Sequence, residues 1–89
     1  MRYVWDERKN EINQKKHHLA FESMEDFDWE SAVIIDRSRH EDEEQRYAAI
    51  GFLYGRIHTV IYTKRDEGLR IISLRRANKP EEKIYEEYF

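Results

Sequence analysis

The spacing of the apolar runs between residues 32 and 74 most constrains how this chain can fold. Four β-prone segments lie there: Ala32-Val33-Ile34-Ile35, then Arg46 to Leu53, Ile57 to Thr63, and Leu69 to Leu74. Tyr54-Gly55 joins the second to the third. Arg65-Asp66-Glu67-Gly68 joins the third to the fourth, with Gly68 available for a positive φ. Connections this short join antiparallel neighbours, because a parallel crossover needs a dozen residues or more. Arg37 to Glu44, between the first two segments, is polar and reads as a loop.

The flanks read as helices. Tyr3-Val4-Trp5 is short and β-prone, and Asp6 after it is a suitable N-cap for a helix over 7–17. Glu7 and Glu11 lie toward that helix's start and Lys15, Lys16 and His17 in its last turn, which suits the helix dipole. Its one aliphatic residue is Ile12, so it has no broad apolar face. Phe21, Met24 and Phe27 recur at three-residue spacing and predict a second helix over 21–29 with one aromatic stripe facing the core. A last helix begins near Pro80, where the missing N–H costs nothing, and Ile84 and Tyr88 would dock one face of it. The expected fold is α+β: a short N-terminal strand and two helices, a four-stranded antiparallel sheet and a C-terminal helix, in one domain over residues 1–89.

Charged residues make up 39% of the 89, which raises disorder as the alternative; the plentiful aromatics, scarce glycine and proline, and clustered apolar runs favour a small core under a charged surface. Cysteine is absent, so disulfides and thiolate metal sites are excluded. No apolar run approaches the ~18 residues of a membrane span, and the N-terminus lacks the plan of a signal peptide. The expectation is a cytoplasmic chain with no membrane contact.

The net charge of -3 hides a division. Residues 20–44 carry two basic and ten acidic groups, whereas residues 56–79 carry seven basic and two acidic. Such a chain can present a basic face while acidic overall. His17 and His18 are adjacent and project about 100° apart on a helix, so they do not clamp one ion. His40 with Glu41, Asp42, Glu43 and Glu44 reads as a solvated loop rather than a hard-cation site. No nucleophile elbow, phosphate loop or zinc-protease motif is present.

The basic residues near the last two strands are more informative. Across Arg70-Ile71-Ile72-Ser73-Leu74-Arg75-Arg76, strict alternation would set Ile71, Ser73 and Arg75 on one side and Arg70, Ile72, Leu74 and Arg76 on the other. Guanidinium forks match phosphate oxygens, so nucleic acid is the economical ligand, with Tyr62 and Tyr85 as stacking partners. The competing reading is structural, with these arginines paired to Glu43, Glu44 or carboxylates of the last helix.

Five blocks, in order, carry a resemblance. They are Tyr3 to Lys9 with Asn13-Gln14-Lys15-Lys16-His17 and Phe21-Glu22; Glu44 to Gly51; Val60 to Arg65; Arg70 to Ala77; and Glu81 or Glu82 with Tyr85. Together they resemble the BrnT toxins. His18 stands where that family carries glycine, so the first helix is expected to close differently, and Leu74 replaces a usual alanine. The resemblance implies a compact RelE-like fold and cleavage of RNA without metal or cofactor. It also implies a BrnA antitoxin whose ribbon-helix-helix part contacts operator DNA, in a complex of two toxins and two antitoxins.

Such cleavage uses the neighbouring 2′-hydroxyl as nucleophile and needs proton transfer and phosphate charge stabilisation. The expected residues are Arg46, Arg65 and Arg75 on the phosphate, with His17, then Lys16, for proton transfer. Glu44 and Tyr85 are weaker candidates. Arg70, Arg76, Tyr62 and Ser73 would contact the RNA. Against these stands a capping role for His17. The alternative to an enzyme is an inactive toxin-like module that binds an antitoxin and takes part in transcriptional autoregulation. A plain DNA-binding protein lacks its recognition helix.

Overall fold

The computed structural model describes residues 1–38 and 44–88. In chain order it has β1 (Tyr3–Val4), α1 (Glu7–His17), a 3-10 helix (Phe21–Asp26), β2 (Val33–Asp36), β3 (Arg46–Leu53), β4 (Arg56–Arg65), β5 (Gly68–Arg76) and α2 (Lys79–Tyr88). The strands form one five-stranded sheet in the order β1-β5-β4-β3-β2. The expected four-stranded antiparallel sheet is present as β2 to β5, but β1 joins its edge parallel to β5, pairing Tyr3 with Leu69 and Val4 with Arg70. The sheet is therefore mixed. A two-residue strand carries no periodicity of its own, and its partner lies more than sixty residues away, so sequence spacing does not reveal the pairing.

Local signals set most of the boundaries. Asp6 caps α1 by accepting from the Arg8 N–H at 2.9 Å. The helix does close in the usual way, contrary to expectation: His18 takes the left-handed conformation (φ 60) that glycine normally supplies, and its N–H donates to the Gln14 carbonyl. Tyr54 and Gly55 both have positive φ and make the two-residue turn between β3 and β4. Gly68, at φ +143, starts β5 so close to β1 that a Cβ there would stand 2.4 Å from the Arg2 carbonyl oxygen. The second expected helix is shorter and tighter than an α-helix. Apolar residues at strict three-residue spacing line up on three residues per turn, so Phe21 and Met24 fall on one buried row and Phe27 caps it.

The sheet separates two apolar clusters. On one face, Phe21, Met24 and Phe27 pack on Ala49, Leu53, Val60, Tyr62, Ile71 and Leu74. Trp29 closes this core, edge-on to Tyr62 at 5.4 Å and donating its indole N–H to the Tyr3 hydroxyl at 2.7 Å. On the other face, Val33, Ile50 and Tyr85 form a smaller cluster with Ile35, Ile57 and Ile84. α2 covers that end of the sheet through Ile84 and Tyr85. The expected contact at Tyr88 is not made; that side chain is exposed.

Candidate functional site

A bulge decides which side chains share a face. The β4–β5 register shifts between Ile61 and Tyr62, so Ile61 pairs with Ser73 while Tyr62 pairs with Ile71, leaving Ile72 as the extra residue. Strict alternation along β5 therefore fails. Ile71 and Leu74, three apart, both enter the first core, and Arg70, Ser73 and Arg75 come onto the opposite face together. Cross-strand pairing extends that face in rows. Arg46, Thr63 and Arg70 form one; Ile35, Ala48, Ile61 and Ser73 the next; Val33, Ile50, Thr59 and Arg75 the third. α2 packs over the apolar end of the third row.

The last turn of α1 meets this face at the edge of β5. Lys9, Ile12, Asn13, Lys16 and His17 of α1 line a cavity of about 290 Å³ with Ile72 and Ser73. Burial holds the His17 imidazole below its usual pKa, and the positive charges of Lys16, Arg75 and His18 push in the same direction. His17 is thus mainly neutral at pH 7 beside permanent cations, a combination suited to accepting a proton near an anion.

Arg75 is held firmly. Its Nη1 and Nη2 reach Oε1 and Oε2 of Glu81 at 2.7 and 2.9 Å. Glu81 is 2% exposed and also accepts from the Thr59 hydroxyl and the Asn78 N–H, each at 2.9 Å. Arg37 stands 3.7 Å from its Oε2. Burial pushes this carboxyl up, but the Arg75 fork, the Asn78 amide and Thr59 outweigh it and hold the pKa at about 2. The Glu81 N–H donates to Asn78 Oδ1, so Asn78 and Glu81 form a reciprocal capping box for α2.

The structure thus brings Lys16, His17, Ser73 and Arg75 into one neighbourhood, with Arg46 and Arg70 on the same face. Arg70 pairs four residues further along β4 than Arg75, roughly 13 Å by strand rise. Other expected residues fall elsewhere. Arg65 lies at the far end of β4, about 20 Å from Thr59 by the same rise, where Glu44 binds it through contacts of 2.7 and 3.0 Å. Tyr62 is 2% exposed in the opposite core, stacked on Tyr47. Tyr85 is buried in the second cluster, edge-on to Phe52 at 5.6 Å. Both rings are spent on packing: strand alternation turns Tyr62 into the first core, and the docked face of α2 carries Tyr85 into the second cluster. Arg76 pairs with His58 and so projects from the other face.

The competing structural reading, arginines paired to Glu44 or to carboxylates of the last helix, is realised in Arg65–Glu44 and Arg75–Glu81; the Asn78-x-x-Glu81 capping pattern marks which carboxylate serves Arg75. Sequence reasoning missed Asn13, Thr59 and Arg37, whose roles depend on contacts across the fold. Buried His58 lies outside the site; burial lowers its pKa, the Arg56 carbonyl bonded to Nδ1 at 2.9 Å raises it, and Arg76 and Arg56 lower it further. Among the described residues no group of three His, Cys, Asp or Glu is placed to hold a metal ion. His40 to Glu43 lie outside the described residues.

Residues 5–81 match the model of a family described as the ribonuclease toxin BrnT of type II toxin–antitoxin systems. The chain belongs to the BrnT toxins. That family is one of ribonucleases, each the toxin half of a toxin–antitoxin pair. No curated protein matches the chain. The BrnT match contains the α1 cavity, all of β5 and the Glu81 anchor, and it ends before Ile84 and Tyr85. No helix among the described residues of this BrnT chain is long and apolar enough to cross a membrane.

Proposed function

We propose that this BrnT-family chain cleaves RNA endonucleolytically and without a metal, at the junction of α1 and β5. The observation that carries the reading is His17, its pKa lowered, sharing a cavity with Lys16 and Ser73 and within the electrostatic reach of Arg75. The neutral imidazole removes the 2′-hydroxyl proton. The 2′-oxygen then attacks phosphorus, the bond to the 5′-oxygen breaks, and the leaving oxygen takes up a proton. The products are a 2′,3′-cyclic phosphate and a 5′-hydroxyl. Lys16 and Arg75 stabilise the added charge on phosphate, and Ser73, Arg70 and Arg46 guide the strand. The domain, residues 1–89 in a RelE-like arrangement, acts in the cytoplasm and arrests translation and growth. A BrnA-like ribbon-helix-helix antitoxin silences it, two copies of each assembling, and operator DNA is contacted only through the antitoxin.

The test is cleavage of a defined RNA by the purified chain and by His17→Ala, with and without EDTA. We expect His17→Ala to lose about 100-fold, the lower range for removing a positioned acid–base group, and EDTA to change nothing. Near-normal cleavage by folded His17→Ala, or abolition by EDTA, overturns the mechanism. Arg75→Lys is a cleaner companion than Arg75→Ala, which would strand the buried Glu81 carboxylate without a cation. A soluble wild-type chain that neither cuts RNA nor arrests growth would instead be the inactive antitoxin-binding module.

A further inference from the structure

α1 is docked almost wholly by polar contacts. Its only aliphatic side chain, Ile12, is 54% exposed, and its buried residues are Asn10 and Asn13. Asn10 ties the helix to the 3-10 segment: its Oδ1 accepts from the Phe21 N–H at 2.8 Å and its Nδ2 donates to Glu22 at 2.9 Å. Asn13 reaches the sheet. Its Nδ2 donates to the Leu74 carbonyl at 2.8 Å and its Oδ1 accepts from the Leu74 N–H at 3.1 Å. The second Nδ2 proton goes to the Leu19 carbonyl at 2.8 Å.

This pairing has a particular consequence. β1 covers the outer edge of β5 only at Leu69 and Arg70. Further along, the Asn13 carboxamide binds both backbone groups of Leu74, as a neighbouring strand would. Leu74 lies between Ser73 and Arg75. His17 is one helical turn beyond Asn13, on the same helix face, and Lys16 and His17 line the cavity that Asn13 and Ser73 also line.

We infer that Asn13 is a positioning residue for the proposed catalytic end of α1: by standing in for a strand at Leu74, its carboxamide sets where Lys16 and His17 sit against Ser73 and Arg75. The inference rests on the ribonuclease reading for its effect on rate, but not for its effect on geometry. No buried apolar side chain of α1 duplicates the constraint. A carboxamide suits it because one flat group offers a donor and an acceptor side by side, matching the N–H and C=O of one extended residue.

The experiment compares the full chain with Asn13→Ala and with Leu53→Ala, a core truncation at the end of β3, which β4 separates from β5. Two quantities are read under conditions where all three are folded: the His17 titration by NMR, and kcat and KM on a short RNA. We expect Asn13→Ala to move the His17 pKa up toward its unperturbed value as the imidazole leaves its cavity and the neighbouring Arg75. We expect kcat to fall at least 10-fold with KM changed less than 3-fold, within the roughly 100-fold cost of a misplacement near 1 Å. Leu53→Ala should leave the His17 titration and kcat near wild type. An unchanged His17 titration in folded Asn13→Ala overturns the positioning role, whatever the activity. A shifted titration with unaltered kcat upholds the geometry and overturns the assignment of His17 to catalysis. If Asn13→Ala does not fold, Asn13→Ser, which keeps a hydroxyl able to reach one Leu74 group, serves in the same comparison.

Discussion

α2 reaches the sheet with Ile84 and Tyr85 in an apolar cluster and with Glu81 at the centre of an ion-pair and hydrogen-bond network. α1 offers the sheet Asn10 and Asn13 and turns Ile12 toward solvent. Both helices are fixed, by different physics. Apolar burial is non-directional and scales with area, so it holds α2 strongly but tolerates small shifts. Amide hydrogen bonds contribute only about 1 kcal/mol each net, yet they demand one geometry. α1 carries Lys16 and His17, so the helix nearest the proposed chemistry is the one held by precise rather than strong contacts. α2 serves the site from behind, by fixing Arg75.

The comparison can be broken most forcefully at Glu81. Glu81→Ala strands the Arg75 guanidinium, removes the α2 capping box and should cost about 3–5 kcal/mol, as for other broken buried pairs. Urea denaturation measures it. A loss below about 1 kcal/mol would mean that the apolar contacts alone hold α2.

Acid should separate the helices next, because α2's anchor is a buried ion-paired carboxylate, whereas the carboxyl that Asn10 of α1 holds low, Glu22, is exposed and Asn13 binds only backbone. The Glu81 carboxyl is held at about 2, below its unfolded value. Its contribution is complete above the unfolded pKa, about 4.3, and is lost as pH falls toward 2. Asn10 and Asn13 do not ionise in this range. Amide exchange should therefore report α2 opening ahead of α1 as pH falls below about 4; the reverse order would contradict the contrast. Buried His58 adds an earlier loss common to both helices. Its folded pKa is lowered, so the unfolded chain takes up the proton first and stability begins to fall below about 6.5.

The smallest effect lies at the end of α1. His18 holds a left-handed conformation that costs a residue with a Cβ about 1 kcal/mol. His18→Gly should raise stability by up to that amount without moving the Asn13–Leu74 pairing. A destabilised His18→Gly chain in thermal melts would show that the imidazole makes a compensating contact.

Much of this arrangement is legible from residues close together in the chain. Asp6 and the charge order of α1 announce its start and end. Tyr54-Gly55 and Gly68 mark the hairpins, and the apolar runs mark β2 to β5. The resemblance carried by the five sequence blocks agrees with the family match over residues 5–81. The candidate site was less legible. His17, Lys16, Ser73 and Arg75 lie in one neighbourhood, but Tyr62 and Tyr85 serve the cores, and Arg65 is bound to Glu44 far from them. The types of these residues suit RNA; the inward facing of Tyr62, the docking of α2 through Tyr85, and the distance of Arg65 along β4 exclude them from one site.

The sequence by itself determined the order of the secondary elements, the start of α1, the turns at Tyr54-Gly55 and Gly68, and the separation of acidic from basic segments, because each depends on hydrogen bonds or periodicities within a few residues. The tertiary structure decided that β1 lies parallel on β5, that a bulge at Ile72 turns Arg70, Ser73 and Arg75 to one face, that Glu81 holds Arg75, and that Asn13 pairs with Leu74 across 61 positions of chain. The physical reason is that a strand's register inverts its facing with each single-residue step. That step is chosen by the packing of both sheet faces at once, which no local stretch of sequence contains.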